Sequence, residues 1–278
     1  MRKAKSLIVL ALVFALAVAC AQTTGSTAKS SISPVLDRIV QRGELVVGTA
    51  GSMPPLNMTT KDGRVIGIEP ELARYMASSM GVKLLIETMH FHELLPALEA
   101  GKVDMVLSGM TITGRRNLKA AFVGPYFISG KSVLTKLKTL AGIRNPSDIN
   151  SPQTRLVALK DSTSQLFVEN VIPKAKLLTA DNYDEAVGML IKGQAHALIA
   201  DYPICAVSVF RYPDQQFTTL VEPFTYEPIG IVLPANDPLL INWAQNFLVS
   251  MKGSGQLDKL RDRWIKNASW LKELPEVK

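Results

Sequence analysis

One segment combines small residues, hydroxyls and two arginines directly after an apolar run. The run, residues 103–107, predicts a buried strand, and it leads into Ser108-Gly-Met-Thr-Ile-Thr-Gly-Arg-Arg116. Small residues at a strand end expose backbone N–H groups, hydroxyls add donors, and an arginine presents a fork that fits a carboxylate. The segment therefore predicts an anion-binding cradle, where α/β proteins commonly place ligands. A polar loop with two solvated arginines is the alternative.

Strands and helices alternate around this cradle. Apolar patterning predicts strands at residues 44–48, 82–86 and 103–107, separated by helices at residues 70–80 and 92–100. Pro70 favours a helix start, and Gly81 and Gly101 favour helix ends. The β-α-β-α-β order predicts a parallel sheet with helices on its faces.

A second α/β series begins near Asp148. A helix end, a glycine and a buried strand at residues 99–106 recur in the same order at residues 191–198. Each copy would deliver the carboxyl end of its strand to a polar residue. We therefore expect two α/β units that face a cleft, followed by a mostly helical tail at residues 238–270.

The N-terminus has the pattern of a secretory signal peptide at residues 1–19. Basic residues precede an apolar run at residues 7–18, and small residues at 17–19 suit cleavage. Cys20 follows directly, as in the bacterial lipoprotein box, where the cysteine carries the lipid. Cleavage near Ala19 or Ala21, with release into the periplasm, is the alternative. The Ser/Thr-rich residues 20–34 predict a flexible tether, so we expect an extracytoplasmic protein, free in the periplasm or anchored by lipid.

Composition excludes several classes of protein. The chain has 278 residues, of which 47% are apolar and 20% charged, as expected for one large or two modest globular domains. Its net charge of +7 comes without a dense basic tract that includes aromatic residues, which argues against nucleic-acid binding. Two cysteines, Cys20 and Cys205, and three scattered histidines provide no metal-site pattern. We predict neither a metal nor another cofactor.

An ordered set of motifs extends through most of the chain. These are Gly43-Glu-Leu-Val-Val-Gly-Thr49, Asp62-Gly-Arg-Val-Ile-Gly-Ile68 leading to Glu71-Leu-Ala, Leu95-Pro-Ala-Leu98 with Gly101 and Asp104, Ser108-Gly-Met-Thr-Ile-Thr with Arg116, Pro125-Tyr126, Asp201, Gly230, and Gly255 with Trp264. In this order the set resembles family 3 of the bacterial extracellular solute-binding proteins, the polar amino-acid-binding components of ABC transporters. The resemblance covers residues 36–264.

The resemblance implies a two-lobed α/β fold of the type II, Venus-flytrap kind, with two hinge strands. We expect the first lobe to be discontinuous, comprising residues 35–129 and 229–278, and the second to comprise residues 130–228. The crossings would lie near residues 127–131 and 227–229. The protein would act as a monomer.

The resemblance also assigns roles to individual positions. Arg116 matches the arginine that pairs with the α-carboxylate of the ligand, and Asp201 matches the acid that pairs with the α-ammonium. Four further positions match residues around the polar ends of the ligand: Ser108, Gly109, Thr111 and Thr163.

Other positions in the expected cleft depart from the family pattern or are less specific. Met53 stands where many members carry an aromatic residue that covers the ligand, and Phe91 can still line the cleft. Asp161 replaces a usual glycine and adds a negative charge beside the carboxylate site. We include Met53, Phe91 and Asp161 among the expected ligand-binding residues.

The expected function is capture of an amino acid, or a similar small carboxylate solute, by lobe closure for an inner-membrane ABC permease. An enzyme resembling cyclohexadienyl dehydratase is one alternative, but its acid would lie three residues after Asp201, where this chain has Ile204. Asp161 could supply an acid instead. A ligand-sensing module that acts through a separate partner is the other alternative.

Overall fold

The computed structural model describes residues 32–137, 140 and 142–276. Residues Ser33–Lys278 form one compact unit. The predicted signal peptide, the lipidation site Cys20 and the tether up to residue 31 lie outside the described residues. The sequence predicts a tether that continues to residue 34, but Ser33 is buried and its hydroxyl donates to Asp237 at 2.5 Å. The fold therefore begins about two residues earlier than the predicted boundary.

The strands form two five-stranded sheets and a small antiparallel sheet. Their bounds are β1 (Glu44–Thr49), β2 (Ser52–Met53), β3 (Asn57–Thr59), β4 (Val65–Ile66), β5 (Lys83–Thr88), β6 (Met105–Val106), β7 (Ala120–Ser129), β8 (Lys131–Thr135), β9 (Arg155–Leu159), β10 (Lys176–Ala180), β11 (Ala197–Asp201), β12 (Thr218–Thr219) and β13 (Glu227–Pro234). The first sheet has the order β5-β1-β6-β13-β7, the second β10-β9-β11-β8-β12, and the small sheet β2-β3-β4.

The two large sheets share one pattern. In the first, β1 is parallel to β5 and β6, while β13 is antiparallel to β6 and β7. In the second, β9 is parallel to β10 and β11, while β8 is antiparallel to β11 and β12. The repeated helix-glycine-strand pattern of the sequence thus corresponds to equivalent central strands, β6 and β11.

Helices cover the sheets. They are α1 (Pro34–Arg42), α2 (Ile68–Met80), α3 (Leu94–Glu99), α4 (Gly114–Asn117), α5 (Thr163–Val171), α6 (Tyr183–Ile191), α7 (Tyr202–Arg211), α8 (Pro238–Gly253) and α9 (Gln256–Lys266), with 3₁₀ turns at Phe91–Glu93, Pro146–Ile149, Pro213–Gln215 and Ser269–Glu273. As predicted, α2 ends at Gly81, which takes the left-handed conformation with φ 69°. Within the described ranges, no helix is long and apolar enough to cross a membrane.

The chain passes between the large sheets at two adjacent places. It leaves the first sheet after Ser129 and enters the second at Lys131, and it returns between Thr219 and Glu227. At the first crossing, a Cβ on Gly130 would lie 2.1 Å from the carbonyl oxygen of Thr225, so only glycine allows this close approach. The two crossing segments therefore pack directly against each other.

The C-terminal helices return to the first sheet. Leu240, Leu248 and Leu257 belong to one buried cluster with Leu45 and Ile231 of that sheet. A separate buried cluster covers one face of the second sheet, with Val133, Leu156 and Ile199 among its members. Each large sheet thus has a hydrophobic core that fixes the carboxyl ends of its strands.

Candidate functional site

Arg116 is held by groups from the surroundings of both large sheets. It lies on α4, whose cap residue Thr113 accepts a hydrogen bond from the Arg116 backbone N–H at 3.2 Å. The Arg116 Nη1 donates to the carbonyl oxygen of Thr111 at 3.0 Å, and Nη2 donates to that of Asp161 at 3.4 Å. The guanidinium also stands over the ring of Phe91, 5.5 Å from its centroid. These contacts hold the guanidinium group in place without a hydrogen bond to a carboxylate of the described residues.

The charge of Arg116 has no carboxylate partner within 4 Å among the described residues. Burial lowers the pKa of Arg116 to about 10, while Asp201 and Glu227 act in the opposite direction. Arginine nevertheless stays charged at neutral pH. Its neighbour Arg115 is exposed. Arg116 is therefore a partly desolvated cation that an anion could stabilise.

Two hydroxyls meet across the cleft. The Oγ1 atoms of Thr111 and Thr163 lie 3.3 Å apart. Thr111 follows β6 and forms an isolated bridge with Ile229, while Thr163 is the first residue of α5, capped by Ser162. The positive end of the α5 dipole lies on the same side of the cleft as Thr163.

Ser108 and Gly109 are fixed by hydrogen bonds within the protein. The Ser108 Oγ accepts from the Ala50 backbone N–H at 2.8 Å, and the Gly109 N–H donates to Glu69 Oε1 at 2.5 Å. Because its N–H is already used, any backbone contact from Gly109 to a ligand would come from its carbonyl oxygen. This differs from the N–H cradle that the sequence suggested.

Met53 lies behind the cradle. Its side chain is 1% exposed, and its Cε would lie 2.6 Å from a Cβ added to Gly109. Gly109 also has a φ of 60°, which favours glycine. Met53 therefore packs against the glycine backbone and lies 4.0 Å from the Ser108 hydroxyl, and its role as a ligand cover stays a prediction.

Glu69 is a buried acid that sequence reasoning missed. It is fully buried and accepts hydrogen bonds from Asn57 Nδ2 and Gly109 N, both at 2.5 Å, and from the Tyr126 hydroxyl. Burial raises the pKa of Glu69, and these three hydrogen bonds oppose the rise. The carboxyl group fixes the backbone of the cradle from below. Its only sequence signal was a polar residue at the start of an amphipathic helix.

Asp201 is not a free acceptor, because a buried lysine pairs with it. Lys131 is 1% exposed, and its Nζ donates to Asp201 Oδ1 at 2.7 Å. The same Nζ lies 3.4 Å from Glu227 Oε2. The sequence reasoning identified Asp201 but neither of its charged neighbours. Lys131 begins β8 and Glu227 begins β13, so both lie at the crossings between the sheets.

Asp161 reaches the site through its backbone. It is exposed, and its carbonyl oxygen rather than its carboxylate accepts from Arg116. Its φ of 56° is in the left-handed region, which explains why glycine suits this position. The negative charge that was expected beside the carboxylate site therefore belongs to a solvent-exposed residue.

A cleft of about 660 Å³ adjoins the cradle. Ala50 and Phe91 line it on the side of the first sheet, and Asp181 and Asp184 line it on the other. The Ala50 backbone N–H also donates to Ser108, and the Phe91 ring also lies under Arg116, so the cleft lies beside the cradle although no cradle residue lines it. The space is large enough for the side chain of a small solute.

Cys205 is a buried free thiol, and burial raises its pKa to about 12, which makes it unreactive. In the part of the chain that the structure describes, no group of three or more His, Cys, Asp or Glu side chains could hold a metal ion.

Comparison with known proteins identifies the family. Residues 45–267 match the sequence model of the bacterial extracellular solute-binding proteins, family 3. The chain belongs to this family. Its members are solute-binding proteins, as the ordered motifs suggested.

Individual relatives agree with that assignment. The chain is 25% identical over 249 residues to the L-cystine-binding protein TcyJ of Escherichia coli (strain K12), covering 89% of this chain and 92% of that one. It is 23% identical over 249 residues to a cyclohexadienyl dehydratase of Pseudomonas aeruginosa, covering 90% and 92%. A binding component of an ABC transporter from Wolinella succinogenes, solved in complex with lysine, is similar in structure with a TM-score of 0.79 and 35% identity, covering 83% of this chain and 99% of that one.

The structural similarity confirms the fold class. The fold is the two-lobed α/β type II fold of periplasmic binding proteins, with a large sheet in each lobe. Its solute-binding role follows from the family.

Proposed function

We propose that this solute-binding protein captures an L-α-amino acid between its lobes and delivers it to an ABC permease in the inner membrane. The observation that carries the proposal is the isolated positive charge of Arg116, which contacts the carbonyl oxygens of Thr111 and Asp161 and no carboxylate among the described residues. A ligand α-carboxylate would pair with this fork, and Thr111 and Thr163 would add hydroxyl donors. An ammonium a few ångströms away would face Asp201.

Closure follows from the position of these groups. The first lobe would comprise residues 35–129 and 229–278, and the second residues 130–228. Arg116 and Thr111 would then belong to the first lobe, and Thr163 and Asp201 to the second. Because a ligand can contact all four only when the lobes meet, binding would shift the population toward the closed state.

The site fits a solute-binding protein better than it fits a dehydratase. A dehydratase needs an acid at the leaving hydroxyl. Three residues after Asp201 the chain has Ile204, which is 1% exposed, and Asp161 directs only its carbonyl oxygen toward Arg116. The N-terminal pattern supports export to the periplasm, with a lipid anchor if Cys20 is modified, and the protein would act as a monomer.

A thermal-shift screen tests the proposal. The purified protein would be mixed with each standard L-amino acid and with L-cystine, and at least one should raise the melting temperature by several degrees. The same preparation should not turn over prephenate or arogenate. Absence of any shift, or turnover of either compound, would contradict the proposal.

A further inference from the structure

Lys131, Asp201 and Glu227 form a buried charge cluster at the place where both crossings meet the candidate site. The Lys131 Nζ lies 2.7 Å from Asp201 Oδ1 and 3.4 Å from Glu227 Oε2. The side chains of Asp201 and Glu227 are only 6% and 11% exposed. Two carboxylates share one ammonium, so the cluster carries one net negative charge.

The location of this cluster relative to Arg116 matters as much as its charge. Thr111, whose carbonyl oxygen accepts from Arg116, forms a bridge with Ile229, two residues after Glu227. Asp201 and Glu227 also oppose the effect of burial on the pKa of Arg116. The interior therefore has a positive end at Arg116 and a net negative end at the cluster, and the four charges sum to zero. Burying an unbalanced charge is costly, so a ligand that is itself neutral but has separated charges fits this interior.

Within the cluster, Lys131 already neutralises one carboxylate. If Asp201 and Lys131 were alone, their pair would be neutral and would attract an ammonium only weakly. Glu227 restores the negative charge. Its Oε1 accepts from Thr225 Oγ1 at 3.1 Å, which orients the carboxylate toward Lys131.

A polar group beside the cluster also lacks a partner. Ser129 pairs with Glu227 across the strands β7 and β13 and is 8% exposed. Its Oγ is buried and has no hydrogen-bond partner among the described residues. An unsatisfied buried hydroxyl is costly, so a polar occupant nearby would relieve the penalty.

We infer that Glu227 is a specificity-determining residue that acts through Lys131, and that the charge of the three-residue cluster selects ligands with an α-ammonium over carboxylates that lack one. The inference rests on the proposed function and specifies the ligand class of the same site. Lys131 neutralises one of the two carboxylates, and Glu227 keeps the cluster receptive to a cation.

Charge-balanced variants separate this role from a structural one. Glu227→Gln makes the cluster neutral, and adding Lys131→Met to it restores one negative charge on Asp201. Glu222→Gln, an exposed position five residues upstream, is the matched control. Lys131→Met alone would leave two buried carboxylates without a cation and could prevent folding. The experiment therefore does not use this single variant.

Calorimetric titration would use four pairs of probes that differ only in the α-ammonium. These are L-lysine with ε-aminocaproate, L-glutamine with glutaramate, L-leucine with isocaproate, and L-phenylalanine with hydrocinnamate. The pair used is the one whose amino acid binds the wild type most tightly. The measured quantity is the affinity for that amino acid divided by the affinity for its analogue. Glu227→Gln should lower this ratio about tenfold or more, the double variant should return it to within about threefold of wild type, and Glu222→Gln should leave it unchanged.

Two results would overturn the inference while leaving the proposed function intact. In one, Glu227→Gln weakens the binding of the amino acid and of its analogue by the same factor, as expected if Glu227 were purely structural. In the other, the ratio falls but the double variant fails to restore it. If none of the standard L-amino acids binds the wild type and L-cystine does not bind either, the proposed function fails, and the inference fails with it.

Discussion

The hydroxyls of Thr111 and Thr163 lie 3.3 Å apart, although one follows a strand of the first sheet and the other opens a helix beside the second. The guanidinium of Arg116 also joins the surroundings of the two sheets, because it donates to the carbonyl oxygens of both Thr111 and Asp161. The polar groups of the two lobes thus meet around one cation. A ligand at this cation would contact both lobes at once.

Arg116→Ala should abolish the thermal shift caused by the bound amino acid. A charge-assisted hydrogen bond contributes about 1.5–3 kcal/mol, so loss of the fork should weaken binding roughly tenfold to a hundredfold. Arg116→Lys should recover little of it, since an ammonium cannot reproduce the bidentate geometry. Differential scanning fluorimetry measures both effects. Arg115→Ala, at an exposed position on the same short helix, should behave as the wild type; equal shifts in Arg116→Ala would place the carboxylate elsewhere.

Gly109→Ala should destabilise the protein by about 2 kcal/mol. Its φ of 60° disfavours an L side chain by about 1–2 kcal/mol, and the new Cβ would lie 2.6 Å from Met53 Cε, which must move. Urea unfolding gives the change in free energy. Gly114→Ala is the control, because nothing lies within 4 Å of a Cβ there. Equal changes in the free energy of unfolding for the two variants would contradict the left-handed backbone at Gly109.

Glu69→Gln should change how stability depends on pH. The native pKa of Glu69 is raised by burial above its ordinary value of 4.5, so the native state holds a proton that the unfolded state has released. The wild type should therefore lose stability relative to Glu69→Gln as pH rises from about 4.5 through the raised pKa. The loss should be about 1.4 kcal/mol for each pH unit that separates the native pKa from the unfolded pKa.

Unfolding titrations from about pH 4 to pH 8 would measure the Glu69 effect. The exposed Glu87→Gln should show no such divergence from the wild type. A Glu69→Gln curve parallel to the wild type across this range would mean that burial does not raise the pKa of Glu69.

Asp161→Gly should stabilise the protein by about 0.5–1 kcal/mol and leave ligand affinity within about threefold. Glycine accepts the left-handed φ of 56° at lower cost, and the carbonyl oxygen that accepts from Arg116 is retained. Thermal unfolding and calorimetric titration give the two quantities, and Asp161→Asn separates charge from backbone strain. A large loss of affinity in both variants would instead assign the carboxylate a direct role at the ligand.

The sequence predicted the parts of this molecule that depend on local patterns. The end of α2 at Gly81 and the placement of Ser108–Arg116 after a buried strand needed only the spacing of apolar residues and glycines. Arg116 could also be distinguished from Arg115, because the ordered motifs match only one of them to the family position.

The rest depends on contacts between distant residues. Lys131 and Asp201 are 70 residues apart, and nothing local to either indicates that one neutralises the other. Glu69 has the local pattern of a helix surface, whereas the side chains of Asn57 on β3 and of Tyr126 on β7 enclose it. The packing of Met53 against Gly109 likewise depends on a left-handed backbone 56 residues away along the chain.

Native mass spectrometry of the protein, purified without added ligand and compared with Arg116→Ala, tests the central claim most directly. We predict that a fraction of the wild type carries one noncovalent adduct with the mass of an amino acid, that the adduct is released on collisional activation, and that Arg116→Ala lacks it. If the wild type is ligand-free, adding the amino acid selected by thermal shift should restore a single adduct. Failure of every L-amino acid and L-cystine to form an adduct, or equal adducts on Arg116→Ala, would contradict an amino-acid site at Arg116.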